Sequence, residues 1–524
     1  MKKLSIIVLL SSIYSCSSFN SRYPSSIRDS KFVKVFNDIE SSVKTGTDSP
    51  VECHQKLDSL YLSLYDIDSK QLEIENFSDA QFESFVQSSF ELRLEIKEKM
   101  KALKVVDEDS KKCLTSVKNI VRALRYLEDY FIEYSYSRNK ESMPAEFVTL
   151  EGHGIYFQSN PEFNFNSHED LKSGDVILSR GNAYSSAAIA RIGDDDTQFS
   201  HLTLVYKDEK NKLHTSEAHI EIGNVVAPFD VHIDERNARS VVFRNVDENL
   251  AHEAGKYMYH HVKDYKAKKN KNIPYDFSMN YKNDDEIFCS EVIYHGYLNA
   301  GRKLYGVDYD VPEHKTTFSP GLIDFLNGIG IDVNKKNIKS FKTFGPGEIQ
   351  FDSRFDIIAE WRNPLKLKDT RFKDAILTKI FEWMERDQYK FKSSFVGSVG
   401  NSFAWLMRKT GWTRAVVKSL AGVDLEDKFP TNMGVKQMNL FVVLDKVGES
   451  LYKKLEIAQQ KSNRPLSFKE LFTLLEEYKA QDKKVYDQYK KDRRENLRNG
   501  HGKNNRFKPR IKLVKPEFHL YFSK

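Results

Sequence analysis

The spacing of apolar residues changes period twice along this chain, and that double change most limits the fold. From Phe32 the apolar positions Phe36, Ile39 and Val43 recur every three or four residues, the repeat of one helix face. A second helix is marked by Ser78 and Gln81, which form a capping box, with Phe77 and Phe82 closing a hydrophobic staple around it. It runs through Phe85, Leu92, Ile96 and Leu103, and a third follows with Val117, Ile120, Val121, Leu124, Leu127 and Phe131 on one face. Residues 31–145 therefore read as a helical bundle. Over 146–365 short β-type runs take over, at Asp175 to Leu178, His201 to Tyr206, Ala218 to Ile222 and Ser240 to Phe243, with one helix, Cys289 to Ala300, ended by Gly301 at its C-cap. Helical spacing returns after Pro364: Phe372, Ile376, Ile380 and Phe381, then Leu440 to Leu455, then a capping box at Ser467 and Glu470 before Leu471, Leu475 and Tyr478. The expectation is an α+β chain, with an antiparallel sheet unit at 146–365 between helical regions at 31–145 and 366–480.

Composition narrows the class further. In 524 residues, 40% hydrophobic and 12% aromatic content is enough to bury several cores, which excludes a disordered or collagen-like chain. A formal charge of +6 is too small at this length for a nucleic-acid binder, and no nucleic-acid partner is expected. The positive excess is local: residues 481–524 hold 14 Lys plus Arg against 5 Asp plus Glu. This basic tail, carrying +9, suits an anionic envelope polymer or lipid surface, although such charge runs are more often solvated chain ends. Its last residues, Phe518, Leu520 and Phe522, alternate as a docking strand would.

The N-terminus sets the compartment. Lys2 and Lys3 precede an apolar run, Leu4 to Leu10, that is too short to span a bilayer, and Ile13-Tyr14-Ser15-Cys16 follows at cleavage distance. This resembles a bacterial lipoprotein signal: residues 1–15 as signal peptide, Cys16 as the lipidated first residue, and the Ser-rich 16–30 as a tether. Tyr14 departs from the small or aliphatic residue usual at that place. Membrane attachment would then run through acyl chains on Cys16, at the bacterial cell envelope. In such an oxidising compartment Cys53 and Cys113 are expected to pair, the alternative being two separately buried thiols. The stretch Val396 to Trp412, with Phe403, Trp405 and Leu406, reads as helical core rather than as a membrane-surface segment.

Cys289 is the one cysteine placed as a nucleophile would be, since it opens an amphipathic helix whose N-terminus favours a thiolate. Taken alone, a cysteine there is more often a packing residue. His201, at the head of a strand, supplies a base, and Glu217, at the start of the next run, can fix its tautomer. A zinc set of His214, Glu217, His219 and Cys289 is set aside: His214 has the wrong strand parity, and neither Cys-x-x-Cys nor His-Glu-x-x-His occurs. Neither metal nor cofactor is expected.

The segments Lys172-Ser173-Gly174-Asp175-Val176-Ile177-Leu178, Phe199-Ser200-His201, Glu217-Ala218, Tyr275-Asp276-Phe277, Phe288-Cys289-Ser290-Glu291 and Arg354-Phe355-Asp356 to Glu360-Trp361 together resemble the permuted papain-like cysteine hydrolases of the NlpC superfamily, in its YiiX/YaeF-like group. Histidine precedes cysteine, as the circular permutation requires. The resemblance covers 172–361 and implies an antiparallel sheet packed on the Cys289 helix. It implies Cys289 as nucleophile, His201 as base, Glu217 as orienting residue, and Asp175 and Tyr275 as active-site support. It further implies hydrolysis of an amide bond, foremost in a cell-wall peptide. The alternatives are a lipid-directed thiol acyl hydrolase or acyltransferase, because lecithin:retinol acyltransferase-like proteins share the permuted order, and a non-catalytic binding lipoprotein.

Overall fold

Side-chain caps start the N-terminal helices where the sequence supplies them. Ser30 Oγ accepts from the Val33 N–H of α1 (Lys31–Thr45), and Ser49 accepts from the Glu52 N–H of α2 (Pro50–Tyr65), which has proline in its first turn. Both bonds of the Ser78–Gln81 capping box are present at α3 (Asp79–Met100), and Phe77 stacks on Phe82 with ring centroids 5.5 Å apart. Asp107 caps α4 (Glu108–Arg138). Phe32 packs edge to face on Phe131 and Phe36 on Phe85, with Phe85 tilted against Phe131, at the centre of this bundle. The period alone did not reveal α2, because only Cys53 and Leu64 on it are buried. Its anchor is covalent: Cys53 and Cys113 form a disulfide that ties α2 to α4. The structure is a computed structural model that describes residues 30–67, 69–230, 237–281, 285–392, 432–501 and 510–524. Cys16, the signal peptide and the Val396 to Trp412 stretch lie outside these. No helix among the described residues is long and apolar enough to cross a membrane.

The central region is an antiparallel sheet of seven strands: β1 (Tyr156–Ser159), β2 (Val176–Gly181), β3 (His201–Lys207), β4 (Leu213–His219), β5 (Gly223–Pro228), β6 (Asn237–Asn245) and β7 (Phe355–Arg362), in the order β1-β7-β6-β2-β3-β4-β5. A short helix, α5 (Tyr184–Ile189), links β2 to β3. Two long ones, α6 (Glu248–Lys269) and α7 (Cys289–Tyr305), pack on β3 and β4. Gly296 lets α7 come close: a Cβ there would lie 2.9 Å from Leu204 and 3.1 Å from Met258. Two sequence expectations need correction. The run Ala218 to Ile222 is not one strand, because it straddles the tight turn between β4 and β5. The Cys289 helix continues past Ala300 to Tyr305, where Gly306, in the left-handed region at φ 70°, is the true C-cap; Gly301 is helical, and a Cβ there would lie 2.7 Å from Tyr309 and 2.8 Å from the Val307 carbonyl, so its lack of a side chain serves close packing and not a cap.

After β7 the chain returns to helix without leaving the core. The short α8 (Ile323–Ile329) precedes β7, and α9 (Pro364–Glu385), α10 (Val435–Gln459) and α11 (Phe468–His501) follow it. Phe372, Ile376, Ile380, Leu444 and Leu471 belong to the same apolar cluster as Val176, Leu204 and Cys289, so the core does not divide at residue 365. A buried ionic network joins the parts. Arg93 on α3 binds Glu128 on α4 (2.7 Å) and Glu360 on β7 (2.6 Å), and Arg362 binds Asp129 (2.8 Å). On α9, Asp374 receives Arg180 (2.6 Å) and Arg191 (2.8 Å). The expected terminal strand is shorter than its alternation suggests. Only Phe522–Ser523 pairs, with Lys390–Phe391, while Phe518 and Phe522 stack four residues apart in a turn and His519 is buried against Asp482. Much of the basic 481–524 region is the second half of α11.

Candidate active site

The site forms where the head of β3, the C-terminal end of β4 and the start of α7 meet. Cys289 is 2% exposed and lines a pocket of about 20 Å³ with Tyr275, Phe288, Thr316, Phe318 and Thr343. That is room for about one water molecule. Its sulfur lies 3.9 Å from the Ser200 carbonyl and 3.9 Å from Ser290 Oγ. As the first residue of a helix, Cys289 has a backbone N–H without an intrahelical partner, and the helix dipole favours a thiolate at that point. The Phe288 N–H is held by Glu291 Oε2 at 2.6 Å. Burial pushes the Glu291 carboxyl up to about 9, with Asp276 and Glu286 adding to it, so at neutral pH it caps the helix without placing a negative charge beside the sulfur.

His201 follows Ser200, so the backbone that brings the Ser200 carbonyl to the sulfur also delivers the imidazole. Its Nε2 lies 2.9 Å from Glu217 Oε2. A carboxylate only accepts, so Nε2 carries the proton and Nδ1 is left for the cysteine. Burial works against a charged His201, yet the hydrogen bonds to Cys289 and Glu217 outweigh it and hold the imidazole above the ordinary histidine range. Glu217 is itself fixed: Thr215 Oγ1 donates to Oε1 at 2.8 Å and Thr203 Oγ1 to Oε2 at 3.3 Å. His219 Nε2 stands 3.4 Å from the same Oε2, and its ring stacks on His201 with centroids 5.3 Å apart.

The three residues named from the sequence for catalysis thus come together. Tyr275 joins them in the pocket wall, where burial, reinforced by Cys289, holds its hydroxyl well above the ordinary tyrosine range. Asp175 does not. It sits four residues before Ser179, the β2 residue that pairs with His201, and is bound by Arg244 at 2.8 and 2.7 Å and by the Lys172 N–H at 2.8 Å. Its role is to fasten the entry of β2; a buried carboxylate needs such a partner, and here the partner is structural. The zinc set considered from the sequence is not assembled either, because His214 turns to Asp208 at 2.9 Å. Among the described residues His201, Glu217 and His219 have donor atoms within 4.8 Å of one another, but Glu217 already serves two threonine hydroxyls and an imidazole, an arrangement complete without a cation. Thr203 and Thr215 escaped the sequence reading, although Thr203 lies two residues from His201 on β3 and Thr215 two from Glu217 on β4, each pair on one strand face, a signal that period-2 spacing contains. Thr316, Phe318 and Thr343 come from loops with no periodicity to announce them.

No family model, curated protein or solved structure matches this chain.

Proposed function

We propose that this protein is a cysteine hydrolase with a permuted papain-like catalytic unit, opening an amide bond through a thioester. What carries the reading is the convergence of Cys289, His201 and Glu217 from three separate elements into one hydrogen-bonded chain. His201 takes the thiol proton, and the sulfur attacks the substrate carbonyl carbon. The oxyanion meets the Cys289 N–H at the helix start and the Tyr275 hydroxyl, which stays protonated at neutral pH. Imidazolium then protonates the leaving nitrogen as the carbon–nitrogen bond breaks. His201 next deprotonates a water that attacks the thioester; the carbon–sulfur bond breaks, and acid and free thiol are released. Glu217 keeps the imidazole in the productive tautomer throughout.

The N-terminal signal and Cys16 support a place in the bacterial cell envelope, held by acyl chains, with the basic 481–524 region facing an anionic polymer. That location makes cell-wall peptide the first substrate class. A lipid acyl substrate is the second, and one observation favours it: a large cavity shares walls with the Cys289 pocket. The test is incubation of the purified protein and its Cys289→Ala variant with peptidoglycan fragments and, separately, phospholipid vesicles, with products read by mass spectrometry. Cys289-dependent peptide release supports the amidase, and Cys289-dependent fatty acid supports lipid chemistry. Identical products from both proteins would sink the catalytic reading and leave a binding lipoprotein. In an active preparation, His201→Ala should lower kcat by about 10²–10⁴-fold, the usual contribution of a positioned base.

A further inference from the structure

A cavity of about 730 Å³ lies where α2 and α4, the 191–196 segment, α9 and the start of α11 meet. Gly193, Asp195 and Phe318 line both this cavity and the small Cys289 pocket, so a single layer of residues separates the nucleophile from a much larger space. Phe318 is held there by a β-bridge to Gly193. The Cys289 pocket has no room for a substrate as it stands, and the volume next door falls within the range of small-molecule sites.

The character of the walls identifies the occupant. Most of their charges are engaged: Arg191 with Asp196 at 3.1 Å, Asp195 with Lys118 at 3.2 Å, Arg371 with Glu133 at 2.5 Å, Glu382 with Lys379 at 2.6 Å, Asp194 with the Thr317 hydroxyl at 2.6 Å and Arg122 with the Tyr61 hydroxyl at 3.0 Å, while Lys469 is exposed and Glu385 half-buried. What remains toward the space is largely aliphatic and aromatic, including Leu64, Leu72, Leu127 and Phe472. A peptide bearing ammonium and carboxylate groups would have to displace these pairs, and an aliphatic chain would not. We infer that the cavity receives the aliphatic chain of an acyl substrate, and that the Phe318–Gly193 partition opens to bring the acyl carbonyl to Cys289. The inference rests on the catalytic reading for its chemistry. It assigns the two flanking helical regions the task of building the chain-binding wall.

The experiment uses p-nitrophenyl esters from two to sixteen carbons and, as an independent probe of the space, cis-parinaric acid binding to the Cys289→Ala protein. Each methylene buried in the cavity should raise kcat/KM by about fourfold until the space is full. Ala123→Trp, which fills the cavity, should shift the preferred chain shorter and weaken parinarate binding tenfold or more. Leu127→Ala, which enlarges it, should shift the preference longer; opposite shifts from two wall residues are not what misfolding produces. Turnover of short esters with no dependence on chain length would overturn the inference and leave the hydrolase standing, and so would parinarate binding indifferent to both substitutions. Absence of any Cys289-dependent turnover, with parinarate binding that follows both substitutions, would overturn the hydrolase and leave the cavity as an aliphatic-chain site.

Discussion

Asp374 offers the sharpest test of how the chain is held together. Its carboxylate is fully buried and faces three arginines: Arg180 at 2.6 Å, Arg191 at 2.8 Å and Arg239 at 3.5 Å. Burial by itself would raise its pKa, but the three guanidinium groups overcome that and hold it far below the usual carboxylate range. Asp374→Ala does not strand all three cations. Arg191 keeps Asp196 at 3.1 Å and Arg239 keeps Asp129, whereas Arg180 has only the Gly181 carbonyl. The cost is therefore that of one buried, uncompensated guanidinium, about 3–5 kcal/mol. Urea unfolding is the assay, followed by fluorescence, with Trp383 on the same helix and Trp361 on β7 as reporters. Replacing the stranded cation as well, in Arg180→Met with Asp374→Leu, should recover most of the loss, because apolar side chains of similar volume have no charge to desolvate. A single-mutant loss below about 1 kcal/mol, or no recovery in the double variant, would refute the assignment of Arg180 as the dependent partner.

Two other predictions concern parts nearer the site. Glu291 is raised to about 9 in the folded protein from an ordinary value of 4.5, so folding retains a proton that the unfolded chain gives up. Its stabilising contribution is full below about pH 4.5 and is lost as pH rises toward 9, a loss on the order of 3 kcal/mol by pH 7. Glu291→Gln keeps an oxygen for the Phe288 N–H and should flatten the stability–pH curve between pH 5 and 9; an unchanged slope would show that the carboxyl is ionised in the fold. Reduction of Cys53–Cys113 should lower stability by about 2–4 kcal/mol. Because α2 buries so little, amide exchange should rise first there and, through Tyr61 and Leu64, parinarate binding should weaken.

How far the sequence could be read depended on the range of the interactions. Capping boxes at Ser78 and Ser467 and the apolar stripes of α3, α4, α9 and α10 are encoded within a few residues of themselves, and each is found where the spacing put it. The grouping of Cys289, His201 and Glu217 was legible because residue types and the Phe199-Ser200-His201 and Phe288-Cys289 segments are local signals. The exceptions share a cause. Helix α2 is held by a disulfide, the β4–β5 turn interrupts an apolar run, and Gly301 is a glycine because Tyr309, eight residues on, leaves no room for a side chain.

The sequence by itself determined the alternation of helical and strand regions and the residue types of the site. Only the tertiary structure decided that Ser200 brings His201 to a cysteine 88 residues later in the chain, that Asp175 is bound by Arg244, and that Phe318 lines both the Cys289 pocket and a cavity walled by both helical regions. Period and capping are properties of neighbours along the chain, whereas a site and its cavity are made of residues that meet only when distant segments share one core.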